Sequence, residues 1–341
     1  MVRAFSPGRV NLIGDHTDYN EGVALPMTVA LGTTVTFTPG PGHRLVVRSS
    51  AEPEPATVDI DVALNPDELQ TLEPVWARLV SAMVAVVRPA SGGRGSVQTT
   101  LPVGAGLSSS AALEVALALA LGFTDEPRPL ALACQRAEQA ATGVRSGLMD
   151  QLTVAGAVDG CALLIDFADL STEPVTVPES ADIVVVHSGE QRTLARSGYE
   201  ARRAECEAAS YRLGALGRLG PDEMLGLPDP LLRRRVRHVV TECDRVRWCA
   251  AALRAGDLVE AGRLMTASHH SLARDFEVST PGLDALVDRL VSMAGVYGAR
   301  LTGAGFGGCV VALAEPGAID LGAFTTPSWR VRPGGRAHIV G

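Results

Sequence analysis

The chain has 341 residues, 46% hydrophobic and 20% charged, with a formal net charge of −8 at pH 7. That length is long for one hydrophobic core and predicts two globular domains in close contact, while the negative charge argues against nucleic acid or an anionic membrane surface as the main partner. All 30 basic residues are arginine, which excludes a Walker A loop, a protein-kinase lysine and Schiff-base chemistry.

Any phosphate must therefore be handled by backbone N–H groups, arginine and a metal ion. Met1, Val2 and Arg3 lead straight into structural sequence without a signal peptide. The longest apolar run, Ala111 to Phe123, is interrupted by Glu114 and is too short to span a bilayer. Six cysteines lie scattered without C-x-x-C spacing, which fits neither a zinc knuckle nor a disulfide framework. A cytoplasmic protein with reduced thiols is expected.

The run Ser6 to Gly22, S-P-G-R-V-N-L-I-G-D-H-T-D-Y-N-E-G, places Arg9, Asn11, Asp15, His16 and Asp18 on a glycine-bounded turn after a short apolar strand. Carboxylates that accept from adjacent hydroxyls, beside a guanidinium that can hold an anion, suit a polyhydroxylated ligand. A polar turn with an ordinary salt bridge is the bland alternative. Strands are expected at Val29–Thr38, Arg44–Arg48, Thr57–Val62 and Ser96–Leu101, with a helix at Trp76–Val87 between them.

Next comes P-V-G-A-G-L-S-S-S-A-A-L-E-V-A-L-A-L-A-L-G, Pro102 to Gly122. Two glycines allow tight turns, three serines open an apolar helix, and one of them is expected to cap it. The free N–H groups and positive dipole end of such a helix make an anion site suited to a nucleotide's phosphates. A capped core helix after a glycine turn fits the same letters. Cys134–Ala141 reads as helix and carries Glu138; Asp150 follows a glycine-containing turn at the start of another helix. Their bland roles are a surface charge and a cap. For phosphoryl transfer, a Glu and a Ser hydroxyl could hold Mg²⁺, and a second carboxylate could orient or deprotonate the attacking hydroxyl.

Cys161–Asp166 and Ile183–His187 read as strands, and helices dominate from Ser197 to Val296. One keeps 4-3 apolar spacing from Leu232 to Leu253 and stops at Gly256-Asp257; its arginines 233, 234, 235 and 237 are expected on a solvated face. L-T-G-A-G-F-G-G-C-V-V-A-L, Leu301 to Leu313, contains a formal G-x-G-x-x-G, but it leads into a strand rather than a helix. A dinucleotide site is therefore rejected in favour of backbone lying against a ligand or another loop. Trp329–Arg332 is a last candidate strand.

Together, S-P-G-R-V-N-L-I-G-D-H-T-D-Y-N, P-V-G-A-G-L-S-S-S-A-A-L-E-V-A and L-T-G-A-G-F-G-G-C resemble the three signature motifs of the GHMP small-molecule kinases. H-T-D-Y-N is specific to the galactokinase branch, and G-L-M-D-Q-L and S-G-Y-E-A-R-R-A-E-C-E look like segments of it. The resemblance implies an α+β GHMP kinase fold of two domains with the active site in the cleft between them. Residues 1–172 would form a ribosomal-protein-S5-like mixed sheet with helices, and residues 173–341 a ferredoxin-like α/β sandwich with extra helices.

It further implies ATP-dependent phosphorylation of the C1 hydroxyl of D-galactose by a monomer. Asp150 would be the catalytic base with Arg9 beside it, and Asp15, His16, Asp18, Gly147 and Tyr199 would contact the sugar. Gly104, Ala105, Gly106, Leu107, Ser108, Ser109 and Ser110 would wrap the ATP phosphates, Trp76 would line the adenine pocket, and Ser110 and Glu138 would hold Mg²⁺. Arg192 would lie near Asp150. Asp15 stands where most of that branch has glutamate, which leaves open a kinase for another sugar, such as N-acetylgalactosamine or arabinose. A non-catalytic galactose sensor is the alternative from a different class; the intact S-S-S-A-A and Asp150 argue against it.

Overall fold

The computed structural model describes residues 1–102, 106–190 and 195–341. The chain opens with strand β1 (Val2–Asn11), which pairs antiparallel with β3 (Pro26–Pro39); the two-residue strand β2 (Val23–Ala24) lies between them in sequence. The first part of the run, Ser6 to Asn11, is thus strand: Arg9 and Asn11 belong to β1 itself, and the polar turn begins only after Ile13. β4 (Arg44–Ser49), β5 (Ala56–Asp59) and β6 (Gly93–Thr99) complete the sheet, with β4 and β6 parallel. The C-terminal strand His338–Ile339 adds to its β1 edge.

Between β5 and β6 come the short helix α1 (Pro66–Leu69), capped by Asn65, and α2 (Ala77–Val87). α3 (Ser109–Ala120) packs on β1 and β3, and α4 (Pro127–Thr142) packs on α2 and on α5 (Met149–Gly156). The almost wholly apolar α3 is buried on nearly every side, so Val115, Leu117 and Leu119 share one core with Val35, Leu45, Val47 and Met83. Each such side chain contributes about 1.5–3 kcal/mol by leaving water.

β2 pairs with β7 (Cys161–Asp166), and β7 with β8 (Ser171–Thr176). Beyond them β9 (Asp182–His187), β10 (Val296–Thr302), β11 (Cys309–Ala314) and β12 (Ser328–Val331) form an antiparallel sheet in the order β10-β11-β9-β12. Helices α6 (Ala195–Leu213), α7 (Pro230–Ala255), α8 (Leu258–Ser271) and α9 (Pro281–Val291) come between β9 and β10. α7 ends at Gly256 in the left-handed conformation, as its sequence predicts. One apolar core runs from Val10, Leu12 and Ile13 to Val184–Val186 and Val310–Leu313, so the halves of the chain are packed together.

Two expectations fail here for the same reason. β10 was absent from the sequence reading because its Arg300 is buried, which breaks the apolar run. Nor does Arg235 of α7 lie on a solvated face, although Arg237 is exposed and Arg233 and Arg234 are half-buried. Arg235 is 1% exposed, and its guanidinium donates to Glu205 at 2.5 Å, Glu277 at 2.6 Å and the Asp275 carbonyl at 2.6 Å. Arg234 pairs with Glu277 and Arg237 with Asp275. These arginines tie α7 to α6 and to the turn after α8. Arg235→Ala leaves Glu205 and Glu277 without this partner and should lower the unfolding free energy by about 3 kcal/mol. Urea denaturation measures it, and a loss under about 1 kcal/mol would put the network in the class of surface pairs.

Candidate active site

β1 and β3 slip register between Pro7 and Arg9, so a bulge falls at Gly8. A Cβ there would meet the Leu107 carbonyl oxygen at 2.6 Å and Leu101 Cδ2 at 2.5 Å. Glycine therefore lets the segment before α3 lie directly on β1, where the Arg9 N–H donates to Leu107 O at 3.1 Å. From the same strand the Arg9 side chain reaches three groups. Its Nε donates to Asp150 Oδ1 at 2.7 Å, its Nη2 to Asp150 Oδ2 at 2.5 Å, and its Nη1 to the Gly106 carbonyl at 2.9 Å.

Asp150 is the second residue of α5, and its side chain joins this pair rather than capping the helix. The serines of α3 depart from expectation in a related way. Ser108 stands at the cap position with φ +57° and makes no side-chain capping bond; its hydroxyl donates to Asp150 Oδ2 at 2.5 Å. An ionised carboxylate offers about four acceptor positions. Two guanidinium bonds and one hydroxyl take three, leaving one.

Glu138, from α4, accepts from Ser110 Oγ at 3.2 Å, Ser146 Oγ at 2.5 Å and Gln151 Nε2 at 3.1 Å. Burial raises the Glu138 carboxyl above its usual range, and the nearby Asp150 charge adds to the rise. Oxygens on adjacent vertices of a Mg²⁺ octahedron lie about 3 Å apart, so the Ser110–Glu138 separation fits two ligands of one hard cation. Among the described residues no group of three His, Cys, Asp or Glu could hold a metal; such a cation would need phosphate or water oxygens as well. Gln151 also donates to Glu114 Oε2 at 2.9 Å; Glu114 is fully buried in α3, and burial pushes its carboxyl well up.

The turn after β1 is held from the distant half of the chain. Arg300, fully buried on β10, places Nη2 2.6 Å from Asp15 Oδ2, and the Gly303 N–H donates to Asp15 Oδ1 at 3.1 Å. Burial raises the Asp15 carboxyl, with the Arg300 charge opposing. His16 Nε2 lies 3.2 Å from the Ala304 carbonyl, so it donates, and Nδ1 at 2.9 Å from Tyr19 Oη accepts. Burial holds this imidazole down to about 3, neutral at physiological pH. Its ring packs on Phe276 and Tyr199.

Asp18 comes so close to Gly147 that a Cβ on Gly147 would sit 1.5 Å from Asp18 Oδ2. Gly147 thus owes its place to a carboxylate that needs the room. Burial, and secondarily the Asp150 charge, push Asp18 up to about 6. Tyr199 stays a protonated phenol, because burial drives its pKa far above the ordinary value.

A cavity of about 430 Å³ brings these groups together. Arg9, Asp15, His16, Asp18, Gly147, Asp150 and Tyr199 all line it, as does Glu138. Ser110 reaches it through Glu138, and Gly106, Leu107 and Ser108 through Arg9 and Asp150. Trp76 stands apart, half-buried at the start of α2, with its indole donating to the Glu54 carbonyl and not lining the cavity. Gly104, Ala105 and Arg192 lie outside the described residues.

Sequence reasoning missed Gln151, Ser146, Ala304 and Arg300. Gln151 and Ser146 flank the G-L-M-D motif and were within reach of it. The glycine run was legible as backbone against another loop, and Gly303 and Ala304 do meet Asp15 and His16. Among the described residues no helix is long and apolar enough to cross a membrane.

Three family models match the chain: a galactokinase galactose-binding signature over residues 2–39, the GHMP kinase N-terminal domain over 78–157 and the GHMP kinase C-terminal region over 249–321. The galactokinase of Roseiflexus sp. (strain RS-1) is 42% identical over 94% of this chain and 84% of its own length; that of Bos taurus is 40% identical over 92% and 83%. Among solved structures, Lactococcus lactis galactokinase complexed with galactose aligns with a TM-score of 0.89 at 30% identity, covering 99% of this chain and 94% of that one. A mevalonate kinase with a TM-score of 0.70 at 17% identity shares the fold.

Asp18 yields a stability test. Its folded-state pKa is raised, so ionised Asp18 opposes folding at pH above about 6, by up to about 3 kcal/mol, and does not oppose it below the unfolded value near 3.8. Asp18→Asn should therefore raise the melting temperature at pH 8, and the gain should vanish near pH 4. An equal shift at both pH values would show that the carboxylate is not under this stress.

Proposed function

The chain belongs to the GHMP kinases, and within them to the galactokinases, and we propose that it transfers the γ-phosphoryl group of ATP to the C1 hydroxyl of D-galactose, giving α-D-galactose 1-phosphate and ADP. The observation that carries this reading is the fork between Arg9 and Asp150, closed by Ser108, where the serine-rich helix start meets the acid-lined cavity. Residues 1–172 and 173–341 are the two units we assign to the fold, with the cavity drawing on both.

Asp15, Asp18 and Tyr199 face the sugar, two as acceptors and one as a phenol. Gly147 gives Asp18 its space, and His16 supports the wall with both ring nitrogens engaged. The remaining acceptor position of Asp150 takes the hydrogen of the C1 hydroxyl. The O1 oxygen then bonds to the γ-phosphorus as the bond from phosphorus to the β,γ-bridging oxygen breaks; ADP leaves and the hydroxyl proton passes to Asp150. A loose transition state asks little activation of the nucleophile, so orientation is the main work of Asp150.

The triphosphate lies against Gly106–Ser110, where the first N–H groups of α3 have no partners within the helix and the dipole favours an anion. The same reading extends this cradle to Gly104 and Ala105. Arg9 adds positive charge beside the transferring group. Ser110 and Glu138 would hold Mg²⁺, which when bound neutralises phosphate charge. Trp76, half-buried at the start of α2, is the residue we assign to the adenine pocket.

Asp150→Ala should abolish galactose-dependent ADP release, by at least about 1,000-fold, while ATP binding by calorimetry stays within a few fold; turnover at the wild-type rate would remove Asp150 from the mechanism. Arg9→Ala should lower turnover more than it weakens ATP binding. A coupled ADP assay over galactose, N-acetylgalactosamine and arabinose tests the substrate. Preference for another sugar overturns galactose, and no sugar-dependent ADP overturns the kinase reading.

A further inference from the structure

The Asp15 carboxylate is fixed from two sides by groups remote in sequence. Arg300 Nη2 lies 2.6 Å from Oδ2, and the Gly303 N–H donates to Oδ1 at 3.1 Å. Arg300 also donates through Nη1 to the Leu12 carbonyl at 3.2 Å, so one guanidinium spans the carboxylate and the backbone from which its turn springs. The turn itself is pinned by α7. Glu242 Oε1 accepts from the Gly14 N–H at 3.0 Å, and His238 Nε2 donates to the Asp15 carbonyl at 3.1 Å. Glu242 is wholly buried, and although burial alone would raise it, Arg245 beside it, with His238 and Arg300 beyond, holds it at about 2, a fixed negative charge.

Asp15 nonetheless lines the cavity. Its carboxylate therefore has acceptor capacity directed at a ligand, and the direction is set by Arg300 and Gly303. Neutralising a buried acid needs any cation nearby. A planar two-nitrogen fork that ion-pairs with Asp15 through Nη2 and donates through Nη1 to the Leu12 carbonyl does more, because it ties the carboxylate to the backbone from which its own turn springs.

We propose that Arg300 is the specificity-positioning residue of this kinase: it fixes the orientation in which Asp15 accepts from a sugar hydroxyl, and so decides which epimer is bound. This rests on the galactose-kinase reading above. Arg300 touches neither sugar nor nucleotide in this account and acts through Asp15. Discrimination follows because an epimer whose hydroxyl points elsewhere leaves a buried, immobilised acceptor unpaired, whereas a carboxylate free to turn could follow it.

Arg300→Lys keeps the charge and loses the fork. In steady-state ADP-release assays it should raise KM for galactose at least fivefold relative to any change in KM for ATP, and narrow the preference for galactose over its C4 epimer glucose by at least fivefold. A role confined to stability would instead lower the melting temperature and move both KM values together; that outcome, or smaller changes in a folded variant, overturns the proposal. Should Arg300→Lys not fold, Asp15→Asn is compared with Asp15→Asn combined with Arg300→Gln. A galactose KM in the double variant no higher than in Asp15→Asn alone supports action through Asp15, and a further rise overturns it. Failure of the wild-type chain to use galactose at all would sink the underlying reading rather than this one.

Discussion

Arg9 sits on the first strand and Asp150 at the start of α5, 141 residues later, and the two planar groups meet edge to edge. A fork of two parallel bonds allows one relative orientation, so β1, α5 and, through Ser108 and Gly106, the start of α3 are set in register by a single contact. Such a pair loses much of its Coulomb gain to desolvation and is weak evidence for stability. What it supplies is position: the cavity carboxylate cannot move without moving the segment before α3.

Charge is partitioned around that contact. Four carboxylates, Asp15, Asp18, Glu138 and Asp150, line the cavity with Arg9. Burial is the main reason Asp18 and Glu138 resist ionisation, and repulsion from Asp150 adds to it. A triphosphate would be repelled too, unless it stays on the α3 side and a cation covers the acids nearest it. The acids that remain face neutral hydroxyls, for which they are strong acceptors. On the proposed reading, a sugar would sit among the acids and the phosphates against the start of α3, and the strain among the acids would be stability given up for function.

Much of this was legible in the sequence, because glycine and serine punctuation around short motifs marks where backbone must approach a ligand. The strands expected at Arg44–Arg48 and Cys161–Asp166 and the end of α7 at Gly256 follow from local pattern, whereas Gly147 and Tyr199 among the cavity residues follow only from the family resemblance. The misreadings share one cause. An arginine reads as solvent-facing until its partners are known, and the partners of Arg235 and Arg300 come from other elements. Nor does sequence say which donor a serine will choose: Ser108 has the right letter for a helix cap, yet tertiary placement brings a carboxylate within its reach.

The absence of lysine sharpens the account of phosphate handling. Lysine would bring a mobile point charge to the triphosphate, whereas here the arginine that lines the cavity is already bound on both edges, to Asp150 and to the Gly106 carbonyl. Arg9 can therefore stabilise charge only where it already stands, beside Asp150. On the proposed reading, holding the β- and γ-phosphates would fall to the backbone of the α3 start, whose preceding Leu107 carbonyl Gly8 allows to lie against β1, and to a cation at Ser110 and Glu138. A rigid cationic edge and a backbone cradle need no reorganisation as charge develops on the transferring group, which is the condition under which preorganised dipoles act most strongly.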